Sequence, residues 1–268
     1  MQLFDVHCHL QDERLLPHIA AVLARAAAAG VVRYCCCGTC PADWPAVAAL
    51  AARFPGVTPA YGLHPWYVDE RTPTWEDELL AALRNSTASI GEIGLDHAVP
   101  APAPAVQEAA FRTQIALARR LDRPASLHCR RAWGRLLALL RADGPPPRGF
   151  LVHSFSGASE VVPELVRRGA YFSFSGSVTY TRNRRGHQAA AAIPADRLLL
   201  ETDAPDLPPV VRQPDGTSAL AAAPNAPENL VPVLHWLASL RGSTPATLAR
   251  QTWENACRLF GTPLAPVG

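Results

Sequence analysis

Short apolar runs along the chain alternate with longer segments in which apolar residues recur at helical spacing. Most of the short runs end at a glycine or a polar residue and have the length of a buried strand. The eight predicted strands are Leu3–His7, Val31–Cys37, Val57–Gly62, Ala88–Glu92, Ala125–His128, Gly149–His153, Ala170–Ser175 and Leu198–Thr202. Parallel strands need a crossover of about a dozen residues or more, usually a helix. Eight strand–helix units therefore predict an α/β fold, a closed (β/α)8 barrel.

The helical pattern is clear between the fourth and fifth predicted strands, where Phe111, Ile115 and Ala118 recur on one face. The predicted helices include Glu13–Ala29, Ala105–Leu121, Ala132–Arg141, Asn229–Leu240 and Pro245–Phe260. Pro208–Pro227 is rich in Pro and Ala without periodicity, so we predict a long loop there. Barrels of this kind commonly have about 250 residues. We therefore expect residues 1–268 to form one domain.

Composition narrows the possible chemistry. All 25 basic residues are arginine, so neither a Schiff-base lysine nor a carbamylated lysine between two metals can form. The net charge of +2 gives little support for a nucleic-acid partner. The seven cysteines lack the spacing of a disulfide scaffold, which favours reduced thiols.

Targeting and membrane signals are not expected. The chain enters a strand pattern at once, which argues against a signal peptide. The longest apolar stretch, Ile19–Val32, is interrupted by Arg25 and Gly30 and does not resemble a membrane span. With its reduced cysteines, the protein is expected in the cytoplasm.

Residues typical of metal ligands stand at or near the ends of the predicted strands. They are His7, His9, Glu92, His128, His153 and Asp203. Each has an ordinary explanation by itself, such as a core histidine, a salt bridge or a helix cap. In a barrel, however, the carboxyl ends of all strands meet on one face, where active sites form. We therefore predict that these six residues form one metal site.

Other residues are weaker candidates. His64 follows the third predicted strand and is expected to contact substrate or leaving group, although a structural role is equally consistent. Glu201 alternates with Asp203 and is expected to orient a ligand histidine. His97 and His187 are predicted in loops on the active face, without an assigned role. Cys37 and Cys40 have a redox spacing, but neighbouring cysteines on a buried strand favour apolar packing.

Arginines cluster after the fifth and seventh predicted strands, near the expected active face. We predict that Arg130, Arg182, Arg184 and Arg185 hold substrate phosphate, since arginine binds phosphate through two parallel hydrogen bonds. The competing explanation is that these residues lie in solvated loops.

Five ordered motifs resemble those of the TatD family of metal-dependent hydrolases. They are Phe4-Asp5-Val6-His7-Cys8-His9, Gly91-Glu92-Ile93-Gly94-Leu95-Asp96, His128-Cys129-Arg130, His153-Ser154-Phe155-Ser156-Gly157 and Glu201-Thr202-Asp203-Ala204-Pro205. The stretches Glu201–Asp206 and Pro224–Glu228 are similar to the YjjV-type branch of that family. The resemblance extends from Phe4 to Phe260 and includes all six predicted ligands.

The resemblance implies a TIM barrel of the metallo-dependent hydrolase type that holds two divalent cations. It would place His7 and His9 on one ion and His128 and His153 on the other, with Glu92 between them. Asp203 would hold the first ion and the attacking water. The implied catalytic residues are Asp203 and Glu92, and His64 is a catalytic candidate from its position alone.

The family's activity implies a phosphodiesterase acting on a nucleic-acid strand end, as a 3′ exodeoxyribonuclease on single-stranded DNA. Two alternatives stay open: hydrolysis of another ester or an amide, such as an aminoacyl-tRNA ester, and a barrel that binds metal or phosphate without catalysis. Many relatives carry a basic segment where this chain has Ala221-Ala222-Ala223-Pro224, which argues against DNA. Metal identity (Mg²⁺, Mn²⁺ or Zn²⁺), digestion polarity and oligomeric state are left open.

Overall fold

Eight parallel strands form a single sheet in chain order. The computed structural model describes residues 1–213 and 216–261. The strands are β1 Leu3–Cys8, β2 Val31–Cys37, β3 Val57–Tyr61, β4 Ser89–Asp96, β5 Ala125–Arg130, β6 Phe150–Val152, β7 Ala170–Phe174 and β8 Leu198–Leu200. After β8 the backbone N–H of Asp203 donates to the His7 carbonyl at 3.1 Å, and that of His9 donates to Ala204 at 2.7 Å. These bonds join the two edges of the sheet, which confirms the predicted barrel.

A helix follows each strand, and two follow the last. Within the described residues the helices are α1 Ile19–Ala28, α2 Trp44–Arg53, α3 Trp75–Arg84, α4 Pro104–Arg120, α5 Trp133–Asp143, α6 Val162–Arg167, α7 Arg184–Ala192, α8 Leu230–Leu240 and α9 Pro245–Phe260. None of these helices is long and apolar enough to cross a lipid bilayer. The alternation of strand and helix delivers every strand to the sheet in the same direction.

The core lies between the sheet and the surrounding helices. Phe111 of α4, Phe150 of β6 and Phe172 of β7 are among its largest fully buried side chains. In α4 the buried residues form one stripe, which includes the amide of Gln114. That amide bonds both the N–H and the carbonyl of Leu63 after β3, and so fixes the segment that leads into His64.

The first helix begins later than predicted. We expected a helix from Glu13, but α1 begins at Ile19 after a 3₁₀ turn over Leu16–His18. A helix from Glu13 would need the backbone nitrogen of Pro17 to donate to the Glu13 carbonyl, and proline has no such hydrogen. The preceding residues instead turn tightly, with Leu15 and Leu16 both donating to the Asp12 carbonyl at 2.9 Å.

The segment Pro208–Pro227, predicted to be a loop, contains a short hairpin. Strands β9 Val210–Arg212 and β10 Ser218–Leu220 pair antiparallel. Three-residue strands are too short to show an alternating pattern. The hairpin is attached to the segment after β7, because Val210 N–H donates to Thr179 Oγ1 at 2.7 Å.

Candidate metal centre

His7 and His9 approach the centre from β1 with their rings oriented by neighbouring strands. The Nδ1 atom of His7 lies 2.8 Å from Ser126 Oγ on β5. His9 Nδ1 donates to the carbonyl of Cys37 on β2 at 2.8 Å. In both rings this leaves Nε2 facing the interior of the site. A hydrogen bond on one ring nitrogen is the usual way a protein directs the other towards a metal.

Glu92 lies between two groups of histidines. Its Oε2 is 3.3 Å from His7 Nε2 and 3.5 Å from His9 Nε2. Its Oε1 is 3.0 Å from His128 Nδ1 and 2.6 Å from His153 Nε2. The two carboxylate oxygens thus divide the four histidines into two pairs. A carboxylate so placed has the geometry required to bridge two cations.

The strand that carries Glu92 is longer than predicted. We placed the end of the fourth strand at Glu92, but β4 continues to Asp96 and Glu92 lies within it. The extension is stabilised by parallel pairing with β5 from Ile93 to Asp96. Glu92 and Asp96 are four residues apart on a strand, so both point to the same face.

A buried carboxylate lies behind each histidine of the second pair. His128 Nε2 lies 3.0 Å from Asp96 Oδ2, which leaves its Nδ1 facing Glu92. His153, directly after β6, has Nδ1 3.8 Å from Glu201 Oε1. Glu201 is itself held by Ser154 N–H at 2.7 Å. Asp96 thus sets which nitrogen of His128 faces the site, whereas Glu201 lies beyond hydrogen-bond distance of His153 Nδ1.

Asp203 completes the side of the site that contains His7 and His9. Its Oδ1 lies 3.8 Å from His7 Nε2 and 3.6 Å from His9 Nε2. The residue has φ = 56°, a conformation that costs energy for a side chain other than glycine. The adjacent Thr202 is anchored to buried Asp5 through its N–H, at 2.9 Å, and through its hydroxyl. This anchor helps to hold Asp203 in place.

The electrostatics of the cluster keep its carboxylates ionised. Burial alone would raise the pKa of Glu92, but the surrounding imidazoles, His153 foremost, hold that pKa well below its usual range. Burial also opposes ionisation of Asp203, yet the close approach of the His9 ring lowers its pKa to about 2. The same contact raises the pKa of His9 to about 9 against the effect of burial. Burial lowers the pKa of His7, so its ring is neutral.

The donor atoms of the cluster fit divalent cations. His7 Nε2 is buried and forms no hydrogen bond, although it faces Glu92 and Asp203. An unpaired buried donor or acceptor costs about 1–3 kcal/mol, and coordination would remove that cost. Three sets of ligand atoms each lie within 4.8 Å of one another: His7 with His9 and Glu92, His7 with His153 and Asp203, and His64 with Glu92 and His128. Imidazole and carboxylate are ligands that Zn²⁺ and Mn²⁺ accept.

His64 directs its ring proton into the site. Its Nδ1 accepts a hydrogen bond from Trp66 N–H at 3.2 Å, so in the neutral ring the proton is on Nε2. That Nε2 lies 3.4 Å from Glu92 Oε1. Burial lowers the pKa of His64 to about 4, which makes the ring neutral at pH 7. His64 is therefore arranged to donate a hydrogen bond within the site.

Two residues that contact the histidines of the site were not identified from the sequence. Asp96 is fully buried and orients His128, but was noted only as part of a motif. Its alternation with Glu92 along β4 could have revealed it. Trp66 contacts His64 with the ring centres 4.9 Å apart, and no periodic signal marks it.

The predicted phosphate-binding arginines occupy two different environments. Arg130 is half-exposed and donates from Nη1 to Asp96 Oδ2 at 3.3 Å, so it lies beside His128. Arg182, Arg184 and Arg185 are exposed and lie in the turn before α7 and in its first residues. The described contacts do not join the second group to the ligands.

Three further predictions concern histidines and cysteines. His187 was predicted in a loop but lies in α7, where its Nε2 bonds the Val178 carbonyl at 2.8 Å. The proline-free run that follows Asn183 allows helix there, with the Asn183 side chain as its cap. His97 directly follows β4, as expected. Cys37 is buried and unoxidised, in agreement with apolar packing on β2.

A family profile described as TatD related DNase matches residues 4–261. The chain belongs to this family. It is 37% identical over 266 residues to the 3′-5′ ssDNA/RNA exonuclease TatD of Cronobacter sakazakii, covering 96% of this chain and 97% of that protein. It is 32% identical over 262 residues to the uncharacterized metal-dependent hydrolase YjjV of Escherichia coli, covering 97% and 98%.

A solved structure supports the same assignment. The crystal structure of the TatD homologue YjjV from Escherichia coli superimposes with a TM-score of 0.90 over 97% of this chain and 98% of the other, at 32% identity. A TatD family hydrolase from Entamoeba histolytica, 20% identical with a TM-score of 0.84 over 98% and 99% of the two chains, shares the fold. The TatD family predicted from the motifs is therefore confirmed.

Proposed function

We propose that this protein is a metal-dependent phosphodiesterase that shortens single-stranded nucleic acid from its 3′ end with two divalent cations. The observation that carries the proposal is the division of the ligands by Glu92. His7, His9 and Asp203 face Oε2, whereas His128 and His153 face Oε1. The relative from Cronobacter sakazakii is named as an exonuclease of single-stranded DNA and RNA. The whole chain would act as one domain.

The proposed metal ligands are the six residues found by sequence. Bound cations would supply an acidified water, with its pKa lowered to about 7, and would neutralise charge on the transferring phosphoryl group. Glu92 would bridge the two positions, a role that a carbamylated lysine cannot take in a chain without lysine. Asp203 would hold the first position and accept the proton of the attacking water. The imidazole-rich set favours Mn²⁺ or Zn²⁺, with Mg²⁺ as the third candidate.

His64 would act as a hydrogen-bond donor in this reaction. Its Nε2 carries the proton and points into the site, 3.4 Å from Glu92 Oε1, so a substrate oxygen bound beside that carboxylate would receive the bond. A donor aimed at developing negative charge stabilises the transition state. The neutral ring does not repel the cations, since burial lowers the pKa of His64 to about 4.

Arginines would bind the strand next to the metal centre. Arg130 lies beside His128 through their shared partner Asp96 and is half-exposed, so it can reach a phosphate near the ligands. Arg182, Arg184 and Arg185 are exposed after β7 and would contact phosphates further along the strand. A barrel mouth admits a strand end more readily than an internal site of a duplex, which favours exonuclease action.

The test is digestion of a 5′-labelled single-stranded oligonucleotide with Mg²⁺, Mn²⁺ or Zn²⁺ at two salt concentrations. We expect products shortened from the 3′ end and suppressed by salt, because phosphate contacts release counterions. Arg130→Ala should reduce binding about tenfold and make the salt slope shallower by about 0.7. Arg148→Ala is the matched control, since Arg148 is exposed before β6 at the opposite end of the barrel.

The contradicting result is specific. No degradation with any of the three metals, together with turnover of a carboxylic ester or an aminoacyl-tRNA, would replace the phosphodiesterase by a hydrolase of another bond. If digestion does not depend on salt and Arg130→Ala does not change it, the arginines do not bind the substrate.

A further inference from the structure

Trp66 is an exposed aromatic residue beside the metal centre. It lies in the 3₁₀ turn Pro65–Tyr67, directly after His64, and 44% of its surface is exposed. Its ring centre is 4.9 Å from that of His64 and 6.2 Å from that of His128. A large apolar surface is thus presented to solvent where a substrate must approach the ligands.

The indole is held in a fixed position by a buried carboxylate. Trp66 Nε1 donates to Asp96 Oδ2 at 2.9 Å. The same oxygen lies 3.0 Å from His128 Nε2 and 3.3 Å from Arg130 Nη1. One buried atom therefore sets the positions of the exposed ring, a proposed metal ligand and a proposed phosphate-binding arginine. Tryptophan has only two side-chain torsions, so little entropy is lost when a ligand packs on it.

The indole of Trp66 meets its neighbouring rings edge-on. Its recorded contacts with rings of the described residues are both steep, at 85° to His64 and 68° to His128. Neither of these contacts stacks a ring on the indole. An isolated exposed apolar residue is common on protein surfaces. This one is distinguished by its rigid attachment to the groups that would hold the phosphate.

We propose that Trp66 stacks on the base of the nucleotide whose phosphodiester bond is cleaved. The inference rests on the proposed function and adds a base-contacting residue to it. With the phosphate at the ligands and against Arg130, the base of the same nucleotide reaches the indole. Stacking is tolerant of sequence because every base has an aromatic face. The protein therefore discriminates a strand end that carries a base from one that lacks it.

The test compares two 5′-labelled oligothymidylates of equal length. One ends in thymidine and the other in a base-less tetrahydrofuran nucleoside. The wild type should favour the end with a base by about tenfold in kcat/KM, as expected for the loss of one base–aromatic stack. Trp66→Ala should abolish this preference by raising KM for the thymidine end. Trp66→Phe should retain most of it, because phenylalanine stacks without the hydrogen bond to Asp96.

Each other outcome has a definite meaning. Equal cleavage of the two ends by the wild type overturns the stacking inference and leaves the exonuclease in place. If Trp66→Ala lowers kcat equally for both ends, Trp66 serves to support Asp96 and His128. That result also overturns the stacking inference. No cleavage of either strand overturns the proposed function and, with it, the stacking.

Discussion

At the scale of the residue, the site depends on which nitrogen or oxygen of each side chain faces the centre. Ser126 and the Cys37 carbonyl engage Nδ1 of His7 and His9, whereas Asp96 engages Nε2 of His128. The atoms that face the centre are therefore Nε2 of His7 and His9 and Nδ1 of His128. Such outer contacts fix ring orientation before a cation arrives, which lowers the cost of binding.

Asp203→Asn should keep the fold and lose most turnover. The amide can still offer an oxygen to a cation, but it cannot take the proton of the attacking water. Loss of a general base lowers rates about 10²–10⁴-fold, and we expect that loss in kcat at saturating metal. The assay should include Asp206→Asn, an exposed carboxylate paired with Arg14, which should behave as wild type. A kcat near that of the wild type in Asp203→Asn would refute the role.

The six candidate ligands could be found from the sequence because each stands at or near the end of an apolar run. Asp96 could have been found only from its alternation with Glu92, and Trp66 has no such signal. The importance of Asp96 comes from its contact with His128, which depends on the register of β4 with β5. The importance of Trp66 comes from a turn that brings its indole to Asp96, and no local pattern encodes that distance.

At the scale of the element, β4 shows how closely the backbone must pack around the ligands. Gly94 pairs with His128 in the ladder and has φ = 151°. A Cβ at Gly94 would lie 1.9 Å from the His128 carbonyl oxygen. Only glycine allows β5 to approach β4 so closely here, and the approach places His128 next to Glu92.

Gly94→Ala should therefore reduce the free energy of unfolding by about 3 kcal/mol or more, since neither backbone can yield cheaply. Urea unfolding gives the measurement. Gly134→Ala in α5 is the control, because a Cβ there meets no atom within 4 Å and alanine gains up to about 1 kcal/mol of helix propensity. Equal midpoints for the two variants would show that the close approach is dispensable.

The elements that could be predicted are those with a long pattern. The eight barrel strands follow from apolar runs in the sequence. Helix α9 follows from helical periodicity, and its predicted and observed bounds are the same, Pro245–Phe260. The start of α1 was misplaced because the apolar pattern continues through a segment in which Pro17 prevents helix. The β9–β10 hairpin was missed because three-residue strands carry no period and depend on the contact of Val210 with Thr179.

At the scale of the whole molecule, the barrel brings together residues that are distant along the chain. His7 and Asp203 lie 196 positions apart in sequence, yet their side chains lie 3.8 Å apart. Parallel strands place their carboxyl ends on one face, so a single metal site can draw ligands from β1, β4, β5 and the segments after β6 and β8. The family profile matches residues 4–261, a range that reaches from β1 to beyond β8 and so includes all of these ligands.

The central claim, that Glu92 bridges two cations, is tested most directly by anomalous diffraction from a crystal grown with Mn²⁺. We expect two peaks about 3.5–4 Å apart, one next to His7, His9 and Asp203 and the other next to His128 and His153. Each peak should lie against a different oxygen of Glu92. A single peak, or none between His7, His9 and Glu92, in a crystal saturated with Mn²⁺ would contradict the account.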